Sequence, residues 1–167
     1  YAKNKGYIAD IPTFENLKAH SKEIVRLSKE ELKEIIHISK GNTKFYVYVM
    51  SFTGMRPHEF MKLKWEDVNL KDGIITIHSD NKLKRGRKIA IHKNLNSILE
   101  EHYSETGRVC PYTDKTSARN AVLRIGKKIG IKISPYSLRK TFASLMAERE
   151  VSPFKLAKMM GHANIST

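Results

Sequence analysis

Glutamine is absent from the 167 residues, and cysteine and tryptophan occur once each. The lone cysteine, Cys110, excludes an internal disulfide and suits a reducing compartment, where it reads as a small, half-buried packing residue. No apolar run reaches the 18 or so residues of a membrane span and no signal peptide opens the chain, so a cytoplasmic setting without membrane contact is expected. The missing glutamine, together with 29% charged residues, leans toward a heat-adapted source. Metal-ligand spacing is lacking too. His20, His37, His58, His78, His92, His102 and His162 form no zinc or two-metal pattern, and neither a Walker loop nor a nucleophile elbow is present. No metal and no cofactor are expected.

Acid is what the second half of the chain lacks. Residues 1–80 carry 13 lysines and arginines against 11 acids, whereas residues 81–167 carry 18 against 6. Between Lys115 and Ala147 there is no Asp or Glu at all. The net charge of +14 is therefore concentrated in one half, as on a face laid along phosphates. A merely soluble basic surface is the plainer alternative. The 40% hydrophobic content is enough for one compact core.

The chain starts at Tyr1 rather than Met and is read as a fragment, with residues 1–26 a linker or arm from a preceding domain and 27–167 a single domain. Ser28-Lys29-Glu30-Glu31 is a capping box, and its helix is expected to run to about Lys40, with Gly41 as the stop. Thr43 to Phe52 is nearly all apolar and fits a buried strand or a buried helix; local β-propensity favours the strand. Gly54 ends it, and Pro57 suits the first turn of a helix to about Leu63. Ile74–His78 and Arg87–Ile91 are strand-like, joined by a basic tip. Helices are expected from Asn94 to about Tyr103, from a cap at Thr116 or Ser117 to Ile129, from Ser134-Pro135 to about Arg149, and from Ser152-Pro153 to just before Gly161. The fold class is α+β, mostly helical, with one small antiparallel sheet.

Three elements stand out as chemistry. Thr53-Gly54-Met55-Arg56-Pro57-His58-Glu59 places Arg56 in a turn stiffened by Gly54 and Pro57, where a guanidinium could grip two phosphate oxygens; an ordinary pairing with Glu59 is the alternative. Ser134-Pro135-Tyr136-Ser137-Leu138-Arg139-Lys140-Thr141-Phe142 sets Arg139 near a helix N-terminus that itself favours anions; a solvated basic face is the alternative. Met160-Gly161-His162 closes the series. The basic tip Asn81–Lys88 completes it.

The order and wording of these elements resemble the catalytic domain of the tyrosine recombinases (phage-integrase family) over about residues 27–167. Leu138-Arg139-Lys140-Thr141-Phe142-Ala143 matches the family's Leu-Arg-His-Thr-Phe-Ala in all but Lys140, and Met160-Gly161-His162 matches its Leu-Gly-His. The resemblance chooses helix for Thr43–Phe52. It implies that Arg56, Arg139 and His162 bind the scissile phosphate, that Glu59 supports Arg56, and that a hairpin lysine protonates the leaving 5′ oxygen. Lys82 fits that lysine best, with Lys84 the alternative. Lys84, Arg85, Arg87, Lys88, Arg119 and Lys140 are read as DNA contacts. The family commonly has His where Tyr136 stands. A phenol can donate a hydrogen bond to phosphate but cannot shuttle a proton near neutral pH. A Tyr-x-x-Arg pattern is similar to that of archaeal plasmid- or virus-type integrases. Tyr136 as a packing residue, or as the nucleophile itself, are the other readings.

The resemblance further implies metal-independent transesterification through a 3′-phosphotyrosine, with the tyrosine roughly nine residues past His162 and so beyond Thr167. The implied partners are double-stranded DNA and, in the full-length protein, three further copies in a tetramer on that DNA. A non-catalytic DNA-binding module and a type IB topoisomerase relative are the alternatives.

Overall fold

The computed structural model describes residues 25–78 and 86–161. Seven α-helices are found among them: α1 (Lys29–Ile38), α2 (Gly41–Thr53), α3 (Pro57–Lys62), α4 (Lys93–Glu101), α5 (Lys115–Lys128), α6 (Pro135–Ala147) and α7 (Pro153–Met160). Three short strands, β1 (Val68–Asn69), β2 (Ile74–Ile77) and β3 (Arg87–Ala90), form an antiparallel sheet in sequence order. The expected α+β class, mostly helical with a small sheet, is the observed one.

The organising element is α2. Phe45, Tyr46, Val47, Val49, Met50, Ser51 and Thr53 are all buried, because α1, α4, α5 and α6 pack around it. A helix covered on several sides needs no polar face, so its sequence loses the 3.6-residue period and imitates a strand. Ile75, Ile77 and Ile89 turn the inner face of the sheet to the same core, which also takes in Phe60, Leu95, Leu99, Val122 and Leu138. Cys110 is buried here beside Met61, and burial pushes its thiol up to about 11, which keeps it protonated.

Several boundaries differ from expectation for local reasons. Ser28 does cap α1 in a capping box with Glu31, but α1 stops at Ile38. Ser39 turns extended and its hydroxyl donates to the Ile35 carbonyl at 2.6 Å, so Gly41 opens α2 instead of closing α1. Asp114, not Thr116 or Ser117, caps α5: its carboxylate accepts from the Ser117 N–H at 2.9 Å and the Ser117 hydroxyl at 2.6 Å. His92 caps α4, whose first residue is Lys93. The strand β1 carries no signal of its own; it is two residues long and exists by pairing Val68 with Ile75. Of the expected arm at residues 1–26, residues 1–24 lie outside the described residues, while Val25 already packs against the core.

Candidate active site

Arg56 leaves the chain at the hinge between α2 and α3. Gly54 ends α2 in the left-handed region (φ 60°), and a Cβ there would land on the Phe142 ring. Pro57 starts α3, leaving Arg56 as the extended residue between two stiff points. Glu59, one turn on, reaches back: its carboxylate accepts from the Arg56 backbone N–H at 2.6 Å and from Arg56 Nη1 at 3.0 Å. The other arm, Nη2, donates to the Gly161 carbonyl at 2.8 Å.

Arg139 rises from the second turn of α6, which Ser134 caps and Pro135 begins. Its side chain is buried. Nη1 donates to the Gly54 carbonyl and Nη2 to the Met160 carbonyl at 2.7 Å. Burial first, and the nearby Arg56 and Arg87 charges second, bring its pKa down to about 10, so it stays cationic at neutral pH. Thr141, one turn from Ser137, is fully buried and acts as a peg: it donates to the Ser137 carbonyl and accepts from the Leu27 N–H, both at 2.9 Å. This ties the entry segment to the helix that carries Arg139.

The two arginines, 83 positions apart, thus grip consecutive carbonyls at the end of α7. Arg87 joins them from β3. It donates from Nε to the Met159 carbonyl at 2.9 Å, and from Nη1 and Nη2 to the two oxygens of Glu59 at 2.8 Å each. Arg87, expected from the sequence to contact DNA, is here turned inward with all three guanidinium nitrogens engaged. Arg87 pairs across the sheet with Ile77, on the face that carries Ile89 into the core, and its side chain is only 12% exposed. The strand alternation signals this, since residues 87 and 89 share a face. The inward contacts of Arg87 and the carbonyls at the end of α7 are what sequence reasoning missed.

Among the described residues, three guanidiniums and one carboxylate leave this pocket with a formal surplus of two positive charges. Burial raises the pKa of Glu59, but hydrogen bonds and charge from Arg87 and Arg56 outweigh it and bring the carboxyl down to about 2. The α7 carbonyls supply partial negative charge at the helix C-terminus and offset part of the remainder. An anion would satisfy the rest.

Tyr136, on the first turn of α6, is 54% exposed. Lys88, Arg119 and Lys140 stand exposed on β3, α5 and α6, outside the lattice of hydrogen bonds around Glu59. Lys82, Lys84, Arg85 and His162 lie outside the described residues. Among the described residues no group of His, Cys, Asp or Glu could hold a metal ion, and no helix is long and apolar enough to cross a membrane.

The sequence model of the phage integrase family matches residues 25–167. The tyrosine recombinase XerA of Pyrococcus horikoshii is 28% identical over 180 residues, covering 100% of this chain and 63% of its own. XerA of Pyrococcus furiosus is 31% identical over 156 residues, covering 84% and 54%. Among solved structures, a crystal structure of XerA recombinase matches with a TM-score of 0.74 at 24% identity, over 89% of this chain and 58% of that one. The integrase of mycobacterium phage Brujita matches at 0.74 and 18%, over 99% and 59%. At these identities the structural matches show the shared fold. The chain spans about half to just under two thirds of the length of these relatives. With a family match across the helices and sheet that frame the arginine pocket, the chain belongs to the phage integrase family.

Proposed function

We propose that this chain is the catalytic domain of a site-specific DNA recombinase that cleaves and rejoins strands through a 3′-phosphotyrosine. The observation that carries the reading is the convergence of Arg56 and Arg139 on the adjacent carbonyls of Gly161 and Met160. Two guanidiniums held this way present donors to one small volume. A phosphodiester brings one negative charge, and the pentacoordinate state formed on attack brings a second, which matches the pocket's surplus. Fixed donors that meet charge as it develops lower the barrier without reorganising, and each typically contributes about 10²–10³ in rate. In this reading Arg56, Arg139 and His162 hold the scissile phosphate, Glu59 orients Arg56, and exposed Tyr136 donates one further hydrogen bond. Lys82, with Lys84 as alternative, gives the leaving 5′ oxygen its proton. The attacking tyrosine lies beyond Thr167. The phosphotyrosine keeps the energy of the broken bond for rejoining.

The proposed partners are double-stranded DNA, gripped by Lys84, Arg85, Lys88, Arg119 and Lys140, and three further copies of the full-length protein in a tetramer on that DNA. XerH, whose fold this chain shares at a TM-score of 0.69 and 20% identity, has been solved bound to its difH substrate. The test is a suicide substrate, nicked so that cleavage traps the covalent complex, offered to the full-length protein. A covalent protein–DNA band is expected, and Arg139→Ala should lower its rate of formation by about 10²–10³. Failure of the wild-type protein to form it on its own recombination site would overturn the reading in favour of a non-catalytic DNA-binding module.

A further inference from the structure

Arg87 has no part in the chemistry proposed above, yet all three of its guanidinium nitrogens are committed. Nη1 and Nη2 meet the two oxygens of Glu59 side by side, and Nε meets the Met159 carbonyl. Each Glu59 oxygen is then held twice: Oε1 by Arg87 Nη1 and Arg56 Nη1, Oε2 by Arg87 Nη2 and the Arg56 backbone N–H. A lone pairing of Glu59 with Arg56, three residues apart, would leave the carboxylate plane free to swing. The parallel two-bond pairing from β3 removes that freedom, because a planar fork fixes the plane of the carboxylate as well as its position.

A second observation comes from the backbone at the end of α7. Gly161 sits in the left-handed region (φ 67°), and a Cβ there would come within 2.6 Å of Arg87 Nη1. The space beside the end of α7 is thus kept empty for this guanidinium. Arg87 also follows directly on the segment that carries Lys82 and Lys84, and Gly161 directly precedes His162.

We infer that Arg87 is a positioning residue: by bracing Glu59 against Arg56 and binding the end of α7 to the start of β3, it fixes the position of the Arg56 guanidinium. This rests on the recombinase reading. A phosphate contact would act through DNA affinity; a brace acts through the rate of the chemical step. Lysine keeps the charge of Arg87 but cannot make the paired contact, so Arg87→Lys separates the two.

The experiment uses the full-length protein and the suicide substrate at saturating DNA. Arg87→Lys should slow covalent complex formation by about tenfold to a hundredfold, the usual range for groups that orient a reacting ligand. Its DNA affinity should stay within about twofold of wild type and the salt dependence of that affinity should not change, since no phosphate contact is lost. Glu59→Gln should slow the same step, and the double variant Arg87→Lys/Glu59→Gln should be no slower than the slower single variant, because both remove one brace. Thermal melting identifies variants that retain the fold, and Arg87→Lys is the one expected to do so. Wild-type cleavage rates in Arg87→Lys would overturn the inference. So would a loss that appears as weaker, less salt-dependent binding, or losses that multiply in the double variant. Absence of a covalent complex with the wild-type protein would sink the recombinase reading itself, a result no variant can produce.

Discussion

Glu59 keeps its charge in a place where burial opposes it. Its side chain is only 10% exposed, and its pKa falls to about 2 because two arginines and a backbone N–H face it. A carboxyl whose folded pKa lies below its unfolded value of about 4.5 stabilises the fold fully above that value, and the contribution fades as pH drops through 4.5 toward 2. Urea midpoints of the wild-type chain should therefore fall across that window, and Glu59→Gln should fall less steeply there while being less stable at pH 7. Equal slopes for the two would show that the carboxylate is not held as described. Arg139 tells the complementary story. Its guanidinium is buried beside two others, and the Gly54 and Met160 carbonyls it donates to, together with the nearby Glu59 charge, help make that arrangement tolerable.

At the scale of the element, the sharp α2–α3 hinge is where fold and site meet. Gly54 has to be left-handed to end α2 on the Met50 carbonyl, and it has to lack a side chain because Phe142 of α6 fills the space. Its own carbonyl then faces Arg139. Gly54→Ala should cost roughly 1–2 kcal/mol for the backbone alone, more once Phe142 is displaced, read as a lower urea midpoint. An unchanged midpoint would mean that α6 yields easily and does not set the position of Arg139. The pairing of β2 with β3 does the same service for Arg87, since the register Ile77–Arg87 puts that guanidinium on the inner face.

For the whole molecule, the asymmetry of charge is the dominant property. The exposed cations Lys88, Arg119 and Lys140 sit on three different elements, β3, α5 and α6. DNA binding should weaken steeply with salt, and replacing Lys88, Arg119 or Lys140 singly by Ala should reduce the slope of log affinity against log salt by about one each. Arg87→Ala should leave that slope alone. The measurement is a salt titration of duplex binding. A slope unaffected by all three surface replacements would place the DNA face elsewhere.

The caps, the hinge and the charge bias are legible from local residues, because Ser28, Gly54, Pro57, Ser134 and Ser152 act on their immediate neighbours wherever the chain is going. The candidacy of Arg56 and Arg139 is legible for the same reason: each stands next to a backbone device that aims it. Packing decided the rest. The identity of α2 depended on neighbours covering its several faces, which no period along one segment can display. The inward turn of Arg87 depended on a strand register between segments ten residues apart. The carbonyls of Met159, Met160 and Gly161 are invisible in any sequence motif, because every residue carries a carbonyl and only the tertiary structure determines which ones face a guanidinium.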